Sequence, residues 1–243
     1  MGGHIVLGYD GSDFSMQALD WALDEAELRH LPLLVAHAWQ WPYGEADEEA
    51  KSHLRKAAEH VVWHGADCAR HTSADVKAET DLYEGPAAER LIELSRDAEL
   101  VVVGSRGLGA LPRAVVGSVA DRTALYAACP VIVVRGPGPL PLAPAPGPVV
   151  VADPEPGAAV LEFACQEAHL RQIGLVAQSA LREWSASHPG VRIAPAGHAP
   201  ATLMVVRRAT ATRDGLARHL LQHAPCPVAV VGAEMGAEMG AGH

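Results

Sequence analysis

Three glycines and one serine in a short stretch have the types and spacing to handle phosphate. From Leu100 to Ser118 the chain reads Leu-Val-Val-Val-Gly-Ser-Arg-Gly-Leu-Gly-Ala-Leu-Pro-Arg-Ala-Val-Val-Gly-Ser. Gly104, Gly107 and Gly117 follow an apolar run. Ser118 then precedes Val-Ala-Asp-Arg-Thr-Ala-Leu-Tyr-Ala-Ala, a stretch of helical composition for which Ser118 is the expected N-cap. Glycine admits positive φ and lets a ligand reach the backbone without meeting a Cβ. Unpaired N–H groups and the helix dipole favour an anion at a helix start. The pattern spells a strand, a phosphate-cradling loop and a helix start. The plainer alternative is a tight glycine corner that holds nothing.

The elements around the loop must carry it. Ile5 to Asp10 reads as a first buried strand, and Gly11-Ser12-Asp13 turns the chain into a helix from about Ser15 to Arg29. Leu33 to Trp39 is a second strand, Asp47 to about Arg70 a long helix, and Asp75 to Leu82 a third strand. Gly85-Pro86 opens a helix to about Asp97. Leu100–Val103 is the strand before the loop, and Pro130 to Val134 closes the unit. Continuous apolar runs alternating with helical patterns predict a doubly wound parallel α/β sheet. Ligands of such sheets bind beyond the carboxyl ends of the strands, at the switch point.

The spacing Gly104-x2-Gly107-x9-Gly117-Ser118 resembles the nucleotide-binding motif of the universal stress protein family, and Ala-Cys-Pro-Val-Ile-Val-Val-Arg at 128–135 is similar to that family's last strand. The resemblance implies strand order 3-2-1-4-5, with Asp10 at the end of strand one facing the glycine loop. It implies an adenine nucleotide, ATP, with Mg²⁺ as an optional companion of the phosphates. The binding set carried over is Gly8, Asp10, Gly11, Ser12, Ala36, Gly104, Ser105, Arg106, Gly107, Gly109, Gly117, Ser118 and Val119. Asp10 would contact the nucleotide, or else serve as a turn aspartate before the next helix. Ala36 and His37 would meet the base through backbone groups. Arg106 and Arg113 could pair with phosphates.

The second part of the chain echoes the first. Trp21-Ala-Leu-Asp-Glu-Ala-Glu-Leu-Arg29 returns as Phe163-Ala-Cys-Gln-Glu-Ala-His-Leu-Arg171, Asp10 as Asp153, and Cys129-Pro130-Val131 as Cys226-Pro227-Val228. Leu203–Val206 matches the central strand, but Arg207 and Arg208 stand where the loop glycines should begin. The expected organisation is two five-stranded doubly wound units, the second truncated. Residues 1–136 form the nucleotide-binding domain, 137–147 a proline-rich linker, 148–232 a degenerate copy and 233–243 a disordered tail. The copies are expected to pack as an intramolecular pseudo-dimer, with a homodimer as a further option.

Composition narrows the function classes. A net charge of −10 argues against nucleic acid and anionic membranes as partners. The start of the chain lacks a signal-peptide pattern, and no apolar run has transmembrane length. Cys68, Cys129, Cys165 and Cys226 form no Cys-x-x-Cys, so free thiols and a cytoplasmic setting are expected. His53, His60, His64, Cys68 and His71 fall on one helix, but Leu54, Val61 and Cys68 share a packing stripe, and no metal is expected there. The loop has no Walker-type lysine, and neither a nucleophile elbow nor paired catalytic carboxylates can be assigned. The expected function is therefore a nucleotide-dependent stress regulator or sensor with an unidentified regulatory partner, with at most very slow ATP hydrolysis. The alternatives are an ATP-using enzyme and a ligand-free interaction scaffold.

Overall fold

A computed structural model describes residues 3–41, 47–108, 116–135, 147–177, 200–208 and 215–232. The expected linker, apart from Gly147, and the expected tail lie outside the described residues, as do Gly109 and Arg113.

The order of elements is β1 (Ile5–Gly8), α1 (Asp13–Arg29), β2 (Leu33–Trp39), α2 (Glu48–Thr72), β3 (Ala78–Glu84), α3 (Ala87–Leu94), β4 (Leu100–Gly104), α4 (Ser118–Tyr126) and β5 (Val131–Val134). There follow β6 (Val149–Val151), α5 (Ala158–Leu170), β7 (Leu175–Ala177), β8 (Leu203–Arg207), α6 (Gly215–His223) and β9 (Val228–Val231). All the strands belong to one nine-stranded sheet, ordered β3-β2-β1-β4-β5-β9-β8-β6-β7. The first five are parallel in the expected order 3-2-1-4-5. The later copy contributes four strands among the described residues rather than five. Its parallel order repeats the pattern, with β6 between β7 and β8. β5 and β9 meet antiparallel and fuse the two sets.

Strand chemistry explains the layers. β1, β4 and β5 are short apolar runs without exposed side chains, as strands covered on both faces must be. Side chains alternate between two cores. Ile5, Leu7, Val102 and Ile132 pack with α1, α2 and α5 on one face. Val6, Val101, Val103, Val131 and Val133 pack with α3, α4 and α6 on the other. The N-cap of α1 is Ser12, whose side chain accepts from the Ser15 amide, and His30 ends the helix in the left-handed region at φ 55°.

Two further devices hold the copies together. Glu25 and Arg29 of α1 meet Glu167 of α5 and Arg171, which caps its end. Each arginine binds the glutamate of its own helix and that of the other. Both carboxylates are fully buried. Trp21 donates its indole N–H to Glu25, and its ring lies 4.2 Å under Arg171. The second device is reciprocal: Arg208 donates to the carbonyls of Ala124 and Cys129, while Arg135 donates to that of Gln222. Carbonyls near a helix C-terminus are natural acceptors for cations.

Candidate functional site

A cavity of about 310 Å³ opens at the carboxyl ends of β1 and β4, with β2, α3 and α4 as its walls. That volume falls at the low end of small-molecule sites, roughly 300–1,000 Å³. One wall is apolar: Ala36, Ala38, Ala87, Leu91 and Val103. The other is the glycine loop with Arg106, Ser118 and Val119.

Of the residues singled out in the sequence, Gly8, Asp10, Ala36, His37, Gly104, Arg106, Gly107, Gly117, Ser118 and Val119 line the cavity. Gly11, Ser12 and Ser105 stand behind it. Gly11 takes φ +79° and so makes the turn after β1. Ser12 donates its hydroxyl to Asp10 Oδ1 at 2.6 Å, and its amide donates to the same oxygen at 3.0 Å. The Ser105 amide donates to the Val134 carbonyl, and the Ser105 carbonyl accepts from Gly117 N–H, closing the loop at 2.9 Å. Asp10 takes the turn role weighed for it and also ties the turn to the glycine loop. Oδ1 builds the turn before α1, and Oδ2 reaches across to the Leu108 amide at 3.1 Å.

Two expectations need correction. Ser118 is not the N-cap of α4. Gly117 holds that place with no side-chain acceptor, and Ser118 begins the helix itself. The first-turn amides are therefore left without a capping side chain at the cavity wall. Nor do the loop glycines serve through positive φ. Among the described residues only Gly11 and Gly85 are glycines in that region, and Gly117 sits at φ −63°. Close approach explains two of them. A Cβ on Gly104 would stand 2.7 Å from the Phe14 carbonyl oxygen, and one on Gly107 would stand 2.5 Å from Asp10 Oδ2. A Cβ on Gly117 meets nothing nearer than 3.6 Å, so that position leaves room beside the helix start.

Electrostatics divides the cavity's cations. Arg90 is fully engaged: it binds Asp81 with both Nε and Nη2, binds Glu93 with Nη1, and lies over the Tyr83 ring. Its hydrogen bonds to Asp81, first of all, hold its guanidinium above the ordinary value. Arg106 instead stacks on Phe14 at 4.1 Å, and no carboxylate pairs with it among the described residues. The arrangement offers a loose cation and an uncapped helix start to an anion. The carbonyl of Ala36 accepts from the Tyr9 amide, and His37 Nδ1 lies 2.8 Å from the Tyr9 carbonyl.

Sequence reading missed Tyr9, Ser15, Ala38, Ala87, Arg90 and Leu91 as cavity residues. Gly85-Pro86 marked the start of α3, but its packing over the mouth had no local signal. Tyr9 also touches the histidine helix. Its hydroxyl lies 2.9 Å from His64 Nδ1, and burial lifts its pKa to about 12. No group of three or more metal-ligating side chains occurs among the described residues. Cys68 is half-buried and packs against the core. In the later copy Asp153, the counterpart of Asp10, pairs with Arg207 at 3.3 Å. No described helix is long and apolar enough to cross a membrane.

Residues 1–135 match the family model described as the universal stress protein family. Universal stress protein Rv2624c of Mycobacterium tuberculosis H37Rv is 31% identical over 242 residues, spanning 90% of this chain and 81% of that protein. A universal stress protein of Mycolicibacterium smegmatis is 33% identical over 186 residues, or 71% of this chain and 62% of that one. A crystal structure of a universal stress protein from Archaeoglobus fulgidus superposes with a TM-score of 0.73 at 15% identity, covering 95% of this chain and 98% of its own. That last likeness is one of fold.

Proposed function

The chain belongs to the universal stress protein family, and from that premise we propose that it binds ATP and acts as a nucleotide-dependent regulator or sensor. Residues 1–136 form the binding domain, and 148–232 form a degenerate second domain that serves as its built-in partner. The observation that carries this reading is the meeting of an alanine-lined slot with an uncapped helix start and an unpaired arginine, at the ends of β1 and β4. The slot suits a flat, largely apolar base. Arg106, Ser118 and the amides at the start of α4 suit phosphate.

The residues present fit a triphosphate better than a protein-bound metal. Asp10 is the carboxylate at the loop, and both its oxygens already accept hydrogen bonds. Mg²⁺ would therefore be held through the phosphates of the nucleotide. The Tyr9 hydroxyl is tied to His64 and the Asp10 carboxylate to the turn and the Leu108 amide, so His37, bound to the Tyr9 carbonyl through Nδ1, is the candidate base among the described cavity residues. With no loop lysine and no paired catalytic carboxylates to go with it, the reading is binding with at most very slow turnover.

The test is direct. The full chain is purified, any co-purified nucleotide is identified by mass spectrometry, and ATP is titrated by calorimetry. Saturable binding with intact ATP after incubation supports the reading. Absence of any nucleotide binding overturns it in favour of an interaction scaffold. A turnover near the enzyme median of about 10 per second overturns it in favour of an enzyme.

A further inference from the structure

Arg135 follows β5, beside the point where the glycine loop leaves β4. The two strands are paired to their ends, Gly104 with Val134, and the Ser105 amide donates to the Val134 carbonyl. Arg106, which lines the cavity, and Arg135, which lies just outside its lining, therefore both follow the carboxyl ends of adjacent strands. No carboxylate pairs with either among the described residues.

Arg135 is also half satisfied. Its Nη2 donates to the Gln222 carbonyl at 2.7 Å, in the last turn of α6. Its Nη1 is buried without a hydrogen-bond partner among the described residues. Burial, and then the charge of Arg106, pull its guanidinium below the ordinary value. A buried donor without an acceptor beside a second cation is costly, and an anion between the two would relieve both costs.

We infer that Arg135 and Arg106 form a two-guanidinium clamp for the distal phosphates of a nucleoside triphosphate, and that Arg135 carries their presence to α6 through Gln222. This rests on the nucleotide reading of the cavity. Guanidinium has five donors, so Nη1 can take a phosphate oxygen while Nη2 keeps the Gln222 carbonyl. A monophosphate, seated on the loop and the start of α4, would not need the clamp.

The test uses the full chain with ATP and AMP, each titrated by calorimetry, on the parent and on Arg135→Ala and Arg135→Lys. ATP affinity falls about ten-fold or more in Arg135→Ala, while AMP affinity changes less than about two-fold; Arg135→Lys, which keeps the charge, lies between. Amide exchange in α6 is slowed by ATP more than by AMP in the parent, and this difference disappears in Arg135→Ala. If the parent binds both nucleotides and Arg135→Ala weakens both alike or neither, the clamp is wrong and the cavity reading stands. If the parent binds neither, the cavity reading falls and the clamp with it. Melting curves confirm that the variants are folded, and Arg135→Lys gives the selectivity test should the alanine variant fail to fold.

Discussion

Arg29 of α1 donates to the buried carboxylate of Glu167 on α5, and its counterpart Arg171 returns the contact to Glu25. The four side chains close a ring in which each charge touches two of opposite sign. Removing one member strands a charge away from water, the costly way to break a buried pair. Glu25→Ala is expected to destabilise the protein by about 3–5 kcal/mol. Urea unfolding of parent and variant measures it; a loss below about 1 kcal/mol, the range of exposed pairs, would show that the ring contributes little.

The same ring sets a pH dependence. Burial, and then the charge of Glu25, raise the pKa of Glu167 above the ordinary carboxylate range. Asp20 and Asp24 are also raised by burial. A raised carboxyl means that the folded chain holds more protons than the unfolded one. Stability is therefore full below the ordinary value and declines as pH climbs through the raised one. The thermal midpoint should fall between about pH 4.5 and pH 7, and Glu167→Gln should flatten that fall. A variant with the parent's slope would assign the effect elsewhere.

Two loop glycines should respond in opposite ways. Gly104→Ala pushes a Cβ onto the Phe14 backbone, which cannot rotate away, and should cost about 1–3 kcal/mol. The Cβ of Gly117→Glu makes only ordinary contacts, none nearer than 3.6 Å, at an ordinary φ, so stability should move by no more than about 0.5 kcal/mol. Its carboxylate would nonetheless sit where phosphate is proposed, and ATP affinity should drop at least about ten-fold. Circular dichroism melts and calorimetry on both variants give the comparison. Unchanged affinity in Gly117→Glu removes the phosphate assignment.

The thiols should divide unequally. Burial pushes Cys129 and Cys165 up to about 12 and Cys226 to about 11, while half-buried Cys68 is the accessible one. The thiolate is the reactive form, so the three buried residues should resist alkylation near pH 8. Mass spectrometry after brief native iodoacetamide treatment should find a single adduct, on Cys68. Denatured protein should carry four. Native labelling of Cys129 or Cys226 would mean that the junction of the two copies opens.

One nucleotide per chain is the expected stoichiometry. In the later copy Arg207 ends β8 where Gly104 ends β4, and it neutralises Asp153. Titration of the full chain should give a single site, lost in Gly117→Glu. Two equivalent sites would mean that the Asp153–Arg207 pair yields to ligand.

The sequence carried the strands of the first five-stranded set well, because each is a short apolar run between helices of clear period. Leu33–Trp39 agrees to the residue. β3 was read early, starting at Asp75 rather than Ala78, because its alternation is weak at a half-exposed edge. The cavity was legible where a motif exists: the glycines, Asp10 and Arg106. Arg90 and Tyr9 were not, because they enter through the packing of α3 and α2, which no local pattern encodes. The ion ring was hidden for a similar reason. Glu25 and Arg29 read as an ordinary helix-surface pair until a second helix covers them.

The antiparallel seam between β5 and β9 also fixes a ratio. When two separate chains pair edge to edge, the fraction assembled depends on how much of each is present. Here one polypeptide supplies both strands, so dilution does not part them and a surplus of one copy never arises. The surface beside the Arg135–Gln222 contact is then the same in every molecule, whatever the abundance of the protein in the cell.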